Sequence, residues 1–138
     1  MQRTLAIIKP DAVGNHCAGA IIKRIEESGL KICALRMVTL TQQGAEGFYA
    51  VHKDKPFFGA LTAFMSSGPA VVLALEGENA IRRWRDLMGA TNPDEAQVGT
   101  LRKEFGASID RNATHGSDAE DTAAYELNYF FCGVELLR

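Results

Sequence analysis

Apolar positions fall along this chain in two rhythms. Short runs at 4–8, 31–40 and 70–75 have the length and bounding residues of strands, the first stopped by Lys9-Pro10 and the third opened by Ser67-Gly68-Pro69. The third is nearly unbroken and is the best candidate for a central strand. Between the first two, Ala18, Ile21, Ile22 and Ile25 recur at helical spacing with Lys23, Arg24, Glu26 and Glu27 off the stripe, and Ser28-Gly29 ends the helix. The segment 11–15 reads as a turn through Gly14. In the second strand apolar residues lie on both faces, which predicts helices over one face and another subunit over the other.

Thr41 caps a helix through Ala45, Phe48 and Tyr49, and Lys55-Pro56 breaks the chain before a helix over 57–65. A further helix over 78–88 places Ile81, Trp84, Leu87 and Met88 on one side, and 100–105 makes about a turn more. The tail divides into a short helix over 119–125 and an aromatic last strand over 126–132, with Ser117 or Asp118 as the helix cap. Strands interleaved with helices make an α+β pattern. Whether the last two strands pair with the first or with each other is left open by periodicity.

Length adds one constraint, because 138 residues suffice for one core and suggest a single domain. A net charge of −2 argues against a surface built for nucleic acid or acidic membrane, although it permits a small basic pocket. Cys17, Cys33 and Cys132 are widely spaced, as unbridged thiols in a reducing compartment would be. The N-terminal apolar run is too short for a signal-peptide core or a spanning helix, so a cytoplasmic protein is expected.

The chemistry concentrates at Arg111-Asn-Ala-Thr-His-Gly-Ser-Asp118, where His115 sits on a tight connection among small neighbours. Such a ring is a nucleophile, a proton carrier or a metal ligand, unless the stretch simply turns the chain. Lys9, Arg85, Thr91, Arg102 and Asn112 also end or interrupt hydrophobic segments, and cations with a hydroxyl and an amide suit phosphate. Each has a plain alternative as a strand end, a solvated helix face or a turn. Phe57 is core or an aromatic plate against a base; Tyr49 and His52 are core-edge rings or ligand contacts. No Gly-Lys-Ser/Thr phosphate loop, dinucleotide glycine fingerprint, Ser-centred elbow or His-Glu-x-x-His helix occurs. A metal here is therefore expected as Mg²⁺ on phosphates rather than as protein-held zinc.

Asn112-Ala-Thr-His-Gly-Ser-Asp-Ala119 resembles the signature of nucleoside diphosphate kinases. The opening Thr4-Leu-Ala-Ile-Ile-Lys-Pro-Asp-Ala-Val13, then Phe48-Tyr-Ala-Val-His-Lys-Asp-Lys-Pro-Phe-Phe58, Met88-Gly-Ala-Thr-Asn-Pro93 and Gly99-Thr-Leu-Arg102 are similar to the same family, in its order and over essentially the whole chain. The resemblance implies a ferredoxin-like βαββαβ sandwich with a four-stranded antiparallel sheet and added helices. It implies ping-pong transfer of the γ-phosphate of ATP to nucleoside and deoxynucleoside diphosphates through a phosphohistidine at His115 Nδ1.

By the same resemblance Glu126, near the start of the expected last strand, fixes the ring, and Ser117 supplies a hydroxyl beside it. Arg85, Thr91 and Arg102 hold the outer phosphates, Lys9 and Asn112 reach the sugar 3′-hydroxyl, Lys9 also approaches the transferring group, Tyr49 adjoins them and Phe57 stacks on the base. Mg²⁺ bridges the phosphates, with Asp118 acting through water. Val51 stands where many relatives have an acid, and Val98 precedes Gly99 where proline is usual, in a loop that helps make subunit contacts in the family. The chain ends at Arg138 without the longer tail of hexameric eukaryotic forms, which implies a bacterial-type homo-oligomer, a tetramer or hexamer built from dimers. A nucleic-acid-associated scaffold on the same fold finds no basic stripe to support it. A domain that passes phosphate from histidine to another protein would have no use for Phe57.

Overall fold

Four strands form one antiparallel sheet in the order β2-β3-β1-β4: β1 (Gln2–Ile8), β2 (Lys31–Val38), β3 (Ala70–Gly77) and β4 (Thr114–Gly116). This computed structural model describes residues 1–137; Arg138, the chain end weighed above, lies outside them. The helices are α1 (Pro10–Gly14), α2 (Ala18–Glu27), α3 (Gln42–Phe48), α4 (Phe58–Met65), α5 (Ala80–Met88), α6 (Leu101–Phe105) and α7 (Glu120–Phe130). None is long and apolar enough to cross a membrane. The open pairing question resolves with β1 at the centre, between β3 and β4.

The apolar runs reflect a sheet covered on both faces. Alternate residues of β1 and β3 point to opposite sides: Ala6, Ile8, Leu73 and Leu75 pack with Ile21 and Ile25 of α2 and Trp84 and Met88 of α5. On the other side Leu5, Ile7, Val72 and Ala74 meet Ala45 and Phe48 of α3, Met65 of α4, and Leu127 and Phe130 of α7. Burying an isoleucine such as Ile21 or Ile25 contributes about 1.5–3 kcal/mol.

Several sequence expectations change. The segment 11–15 is a helical turn rather than a loop, because Pro10 occupies the first turn of α1, where a missing N–H costs nothing. In β2 a register shift between Ile32 and Ala34 breaks the alternation, and Cys33, Ala34 and Val38 pack against this chain's own second helix layer. Leu35 and Met37, on the edge strand, stay 49% and 59% exposed.

The largest correction concerns the tail. The residues expected as a short helix and then a strand form the single helix α7. Ala123, Leu127 and Phe130 fall on one buried helical stripe, which the density of aromatic residues disguised as a strand. Neither Ser117 nor Asp118 caps it; the N-cap is Ala119, whose N–H donates to Thr122 Oγ1 at 3.0 Å. Glu126 is thus a helix residue, not a strand-end one. The last strand is instead β4, whose central residue is His115.

Candidate active site

Register places the histidine. His115 is opposite Ile7 of β1, so its ring shares the face of Ile7, toward α3 and α7. There it meets the edges of Phe48 and Tyr49, with ring centroids 5.4 and 5.8 Å away. Its neighbour Gly116 points the other way, against Trp84 and Met88, where a Cβ would lie 2.6 Å from atoms of both side chains. Close approach, rather than backbone freedom, is what requires glycine here. The Trp84 Nε1–H donates to the His115 carbonyl at 3.1 Å and ties this strand to α5.

Behind the ring, Glu126 Oε1 lies 2.9 Å from His115 Nε2 and accepts the Ser117 hydroxyl at 2.8 Å. Ser117 Oγ in turn accepts the Leu5 N–H at 3.3 Å, which anchors the relay to β1. Since a carboxylate accepts and does not donate, Nε2 carries the proton and Nδ1 keeps its lone pair. His115 and Glu126 side chains are only 17% and 14% exposed, so this geometry is held by packing as well as by the hydrogen bonds.

In front of the ring opens a cleft of about 630 Å³, lined by His115, Lys9, Tyr49, Phe57, Arg85, Thr91, Arg102, Asn112 and Asp118. With His52, which also lines it, ten of the twelve residues singled out in the sequence share one cavity; Ser117 and Glu126 sit behind the histidine. Lys9 Nζ donates to Asn112 Oδ1 at 2.9 Å, and Asn112 Nδ2 donates to the Thr91 carbonyl at 3.0 Å. Arg102 is buried, bonded to the carbonyls of Gly89 and Thr114. Arg85 is exposed and pairs with Asp118 at 2.6 Å.

Burial and the charge of Arg102 draw the Lys9 ammonium down to about 8, against the opposing pull of Asp11 and Asp110. Arg102 falls to about 10 through burial and the nearby Arg85. Burial, with the charge of Glu126, pushes the Tyr49 phenol up, so it stays a protonated donor. Tyr49 Oη, His52 Nδ1 and Arg102 Nε are buried without a hydrogen-bond partner among the described residues. Polar atoms in that condition are suited to an incoming ligand that supplies acceptors and donors.

The outer wall includes residues the sequence reading passed over: Leu61, Phe64, Ile109, Asp110 and Arg111. Phe57, Leu61 and Phe64 follow one another at i, i+4 and i+7, so helical spacing could have put them on one face. Ile109 had a weaker signal, an isolated apolar residue just before the Asn112 stretch. Arg111 lies over the Phe64 ring, 4.9 Å from its centroid. The cleft thus has a cationic inner end against the imidazole and an apolar outer slot of the kind that takes a flat ring.

An α+β sheet with a bare imidazole nitrogen at the cationic end of a half-apolar cleft belongs to the phosphotransferases that act on nucleotides. Residues 2–136 match the family profile described as "Nucleoside diphosphate kinase". The nucleoside diphosphate kinase of Syntrophotalea carbinolica is 59% identical over 99% of this chain and 100% of its own length. That of Francisella tularensis subsp. mediasiatica is 61% identical over 98% of this chain and 96% of its own. Among solved structures, the Aquifex aeolicus nucleoside diphosphate kinase superposes with a TM-score of 0.97 at 42% identity, covering 99% of both chains. A halophilic nucleoside diphosphate kinase from Halobacterium salinarum, solved in complex with CDP, gives 0.94 at 39% identity, over 99% of this chain and 91% of its own. The chain belongs to the nucleoside diphosphate kinase family, and its activity is that of a nucleoside diphosphate kinase.

Proposed function

We propose that this chain performs the kinase reaction in two half-steps through His115 Nδ1. In the first, the Nδ1 lone pair attacks the γ-phosphorus of ATP. An N–P bond forms, the bond from phosphorus to the bridging oxygen breaks, and its electron pair leaves on the β-phosphate of ADP. In the second, a terminal phosphate oxygen of another nucleoside diphosphate attacks the phosphohistidine and the pair returns to Nδ1. The observation that carries this reading is the 2.9 Å contact of Nε2 with Glu126, which leaves Nδ1 as the ring's nucleophilic atom beside the cleft.

The surrounding side chains divide the remaining work. Lys9, Arg85 and Arg102 supply positive charge as negative charge spreads over the transferring group's oxygens, and Thr91 adds a hydroxyl. Lys9 and Asn112, already bonded to each other, receive the sugar hydroxyl. Phe57, with Leu61, Phe64 and Ile109, forms the slot for the base. Contact with a ring face discriminates weakly among bases, which suits an enzyme accepting many nucleosides.

Among the described residues no group of three His, Cys, Asp or Glu side chains could hold a metal ion. Asp118, on the cleft wall, would hold Mg²⁺ carried on the nucleotide's phosphates, through water. When bound, Mg²⁺ neutralises phosphate charge. Self-assembly, with a dimer as the minimal unit of a tetramer or hexamer, is supported by the edge position of β2 and the exposure of Leu35 and Met37. A reducing, cytoplasmic setting suits Cys17, Cys33 and Cys132, which are widely spaced in the sequence.

Incubation with γ-labelled ATP and Mg²⁺, then with unlabelled GDP or CDP, tests the route. Label is expected on His115 in acid-labile form and then in GTP or CTP. Transfer between nucleotides without labelled protein would refute it.

A further inference from the structure

Between Asn112 and His115 the chain passes through a conformation that an L-residue adopts reluctantly. Ala113 has φ +73° and is fully buried, and the Thr114 N–H donates back to the Asn112 carbonyl at 2.9 Å. A three-residue turn closed in this way on a positive φ is the rare, strained form of the γ-turn. Strain of this kind persists only where surrounding contacts over-determine it.

Those contacts come from one place, the junction of β1 and α1. The Asp11 carboxylate accepts the Ala113 N–H at 3.0 Å through Oδ2, and the Lys9 N–H donates to the Ala113 carbonyl at 2.8 Å. The residue is thus gripped at both its backbone polar groups. Lys9 is a strand end whose N–H any residue would supply, so only Asp11 contributes a chosen side chain. Its other oxygen, Oδ1, is buried without a partner among the described residues. The Asp11 carboxylate also faces the charge of Lys9 and sits in the first turn of α1, and its hydrogen bond to Ala113 ties both to the strained turn.

We propose that Asp11 is a positioning residue for phosphoryl transfer: by holding Ala113 in its strained turn, it sets the separation and aim of Asn112 on one side and His115 on the other. Asp11 does not line the cleft, and it acts through the backbone. The turn opens directly into β4, so relaxation at Ala113 shifts the short strand that presents the imidazole while Glu126 stays fixed on α7. Displacing a reacting atom by about 1 Å costs on the order of 100-fold in rate. This inference rests on the reading of His115 as the phosphate acceptor.

The test compares Asp11→Ala, Asp11→Asn, Ala113→Gly and the double variant Asp11→Ala/Ala113→Gly with the parent, by rapid-quench phosphorylation of His115 from labelled ATP and by steady-state kinetics. Asp11→Ala is expected to slow phosphorylation by about tenfold or more and to lower kcat with little change in KM, since the interaction lost is one felt in the transition state. Asp11→Asn keeps an acceptor oxygen for the Ala113 N–H and is expected to lose no more than about threefold. Glycine populates positive φ without strain, so the double variant is expected to regain most of the rate lost by Asp11→Ala.

Three outcomes overturn the proposal: Asp11→Ala within about twofold of the parent, a double variant no faster than Asp11→Ala, or an Asp11→Asn loss of about tenfold, which would assign the effect to charge. If Asp11→Ala does not fold, the Asp11→Asn result decides by the same limits. A parent protein that never carries label on His115 would instead remove the two-step reading itself.

Discussion

Glu126 offers the sharpest quantitative test of how the imidazole is held. Its Oε1 receives the His115 Nε2–H at 2.9 Å and the Ser117 hydroxyl at 2.8 Å in a largely buried setting. Replacing it by glutamine keeps the shape and a neutral acceptor but removes the negative charge. A hydrogen bond to a charged group is worth about 1.5–3 kcal/mol against about 1 kcal/mol for a neutral one. The difference of about 0.5–2 kcal/mol matters most when the ring gains positive character on attack, and corresponds to about a 2- to 30-fold slower phosphorylation. Glu126→Ala removes the acceptor altogether, frees the ring and releases the choice of tautomer, with an expected loss of about 100-fold or more. Rapid-quench measurement of labelled His115 reads both, and calorimetry should find ADP binding little changed because Glu126 does not line the cleft. Glu126→Ala phosphorylating within about twofold of the parent would refute the assignment.

Other consequences follow from the same geometry. With its ammonium drawn down to about 8, Lys9 loses its proton as pH rises through that value, so kcat/KM should decline above it; a flat profile to about pH 10 would remove Lys9 as an essential cation. The sign for stability is the reverse: below the folded value both states hold the proton and the burial cost is fully present. From about 8 up to 10.5 the unfolded chain binds more protons, so Lys9's contribution to unfolding free energy should rise across that interval. Gly116→Ala forces a methyl to 2.6 Å from Trp84 and Met88 and should cost about 1–3 kcal/mol in denaturant unfolding, with reduced activity; unchanged stability would contradict the packing described. Phe57→Ala should raise KM for purine and pyrimidine diphosphates alike, by the equivalent of about 1–3 kcal/mol, with kcat nearly kept; a loss confined to one base would contradict an indiscriminate slot.

How much of this was legible in the sequence depends on how local each cause is. The strand at 70–75 and the stripe of Ile21 and Ile25 announce themselves because burial on a regular element repeats at a fixed interval. The cleft's cations and amide were identifiable as residue types at element ends, and the family resemblance suggested the roles proposed for them. What escaped was set by contacts distant in sequence. His115 looked like a loop residue because only pairing with Ile7 makes its three-residue segment a strand. Glu126 was assigned to a strand because the aromatic rings of α7 hid a stripe that closes only against β1 and α3. Gly116 reads only as one of the small neighbours of His115 until Trp84 is seen against it, and Asp11 gives no sign of its link to Ala113, 102 positions away.

If Nε2 is committed to Glu126, Nδ1 alone is the nucleophile. Phosphorus magnetic resonance on freshly phosphorylated protein, with mass spectrometry of an alkaline digest, determines which ring nitrogen carries phosphate. Phosphate is expected on His115 at Nδ1; phosphate at Nε2, or on a residue other than His115, would contradict that assignment.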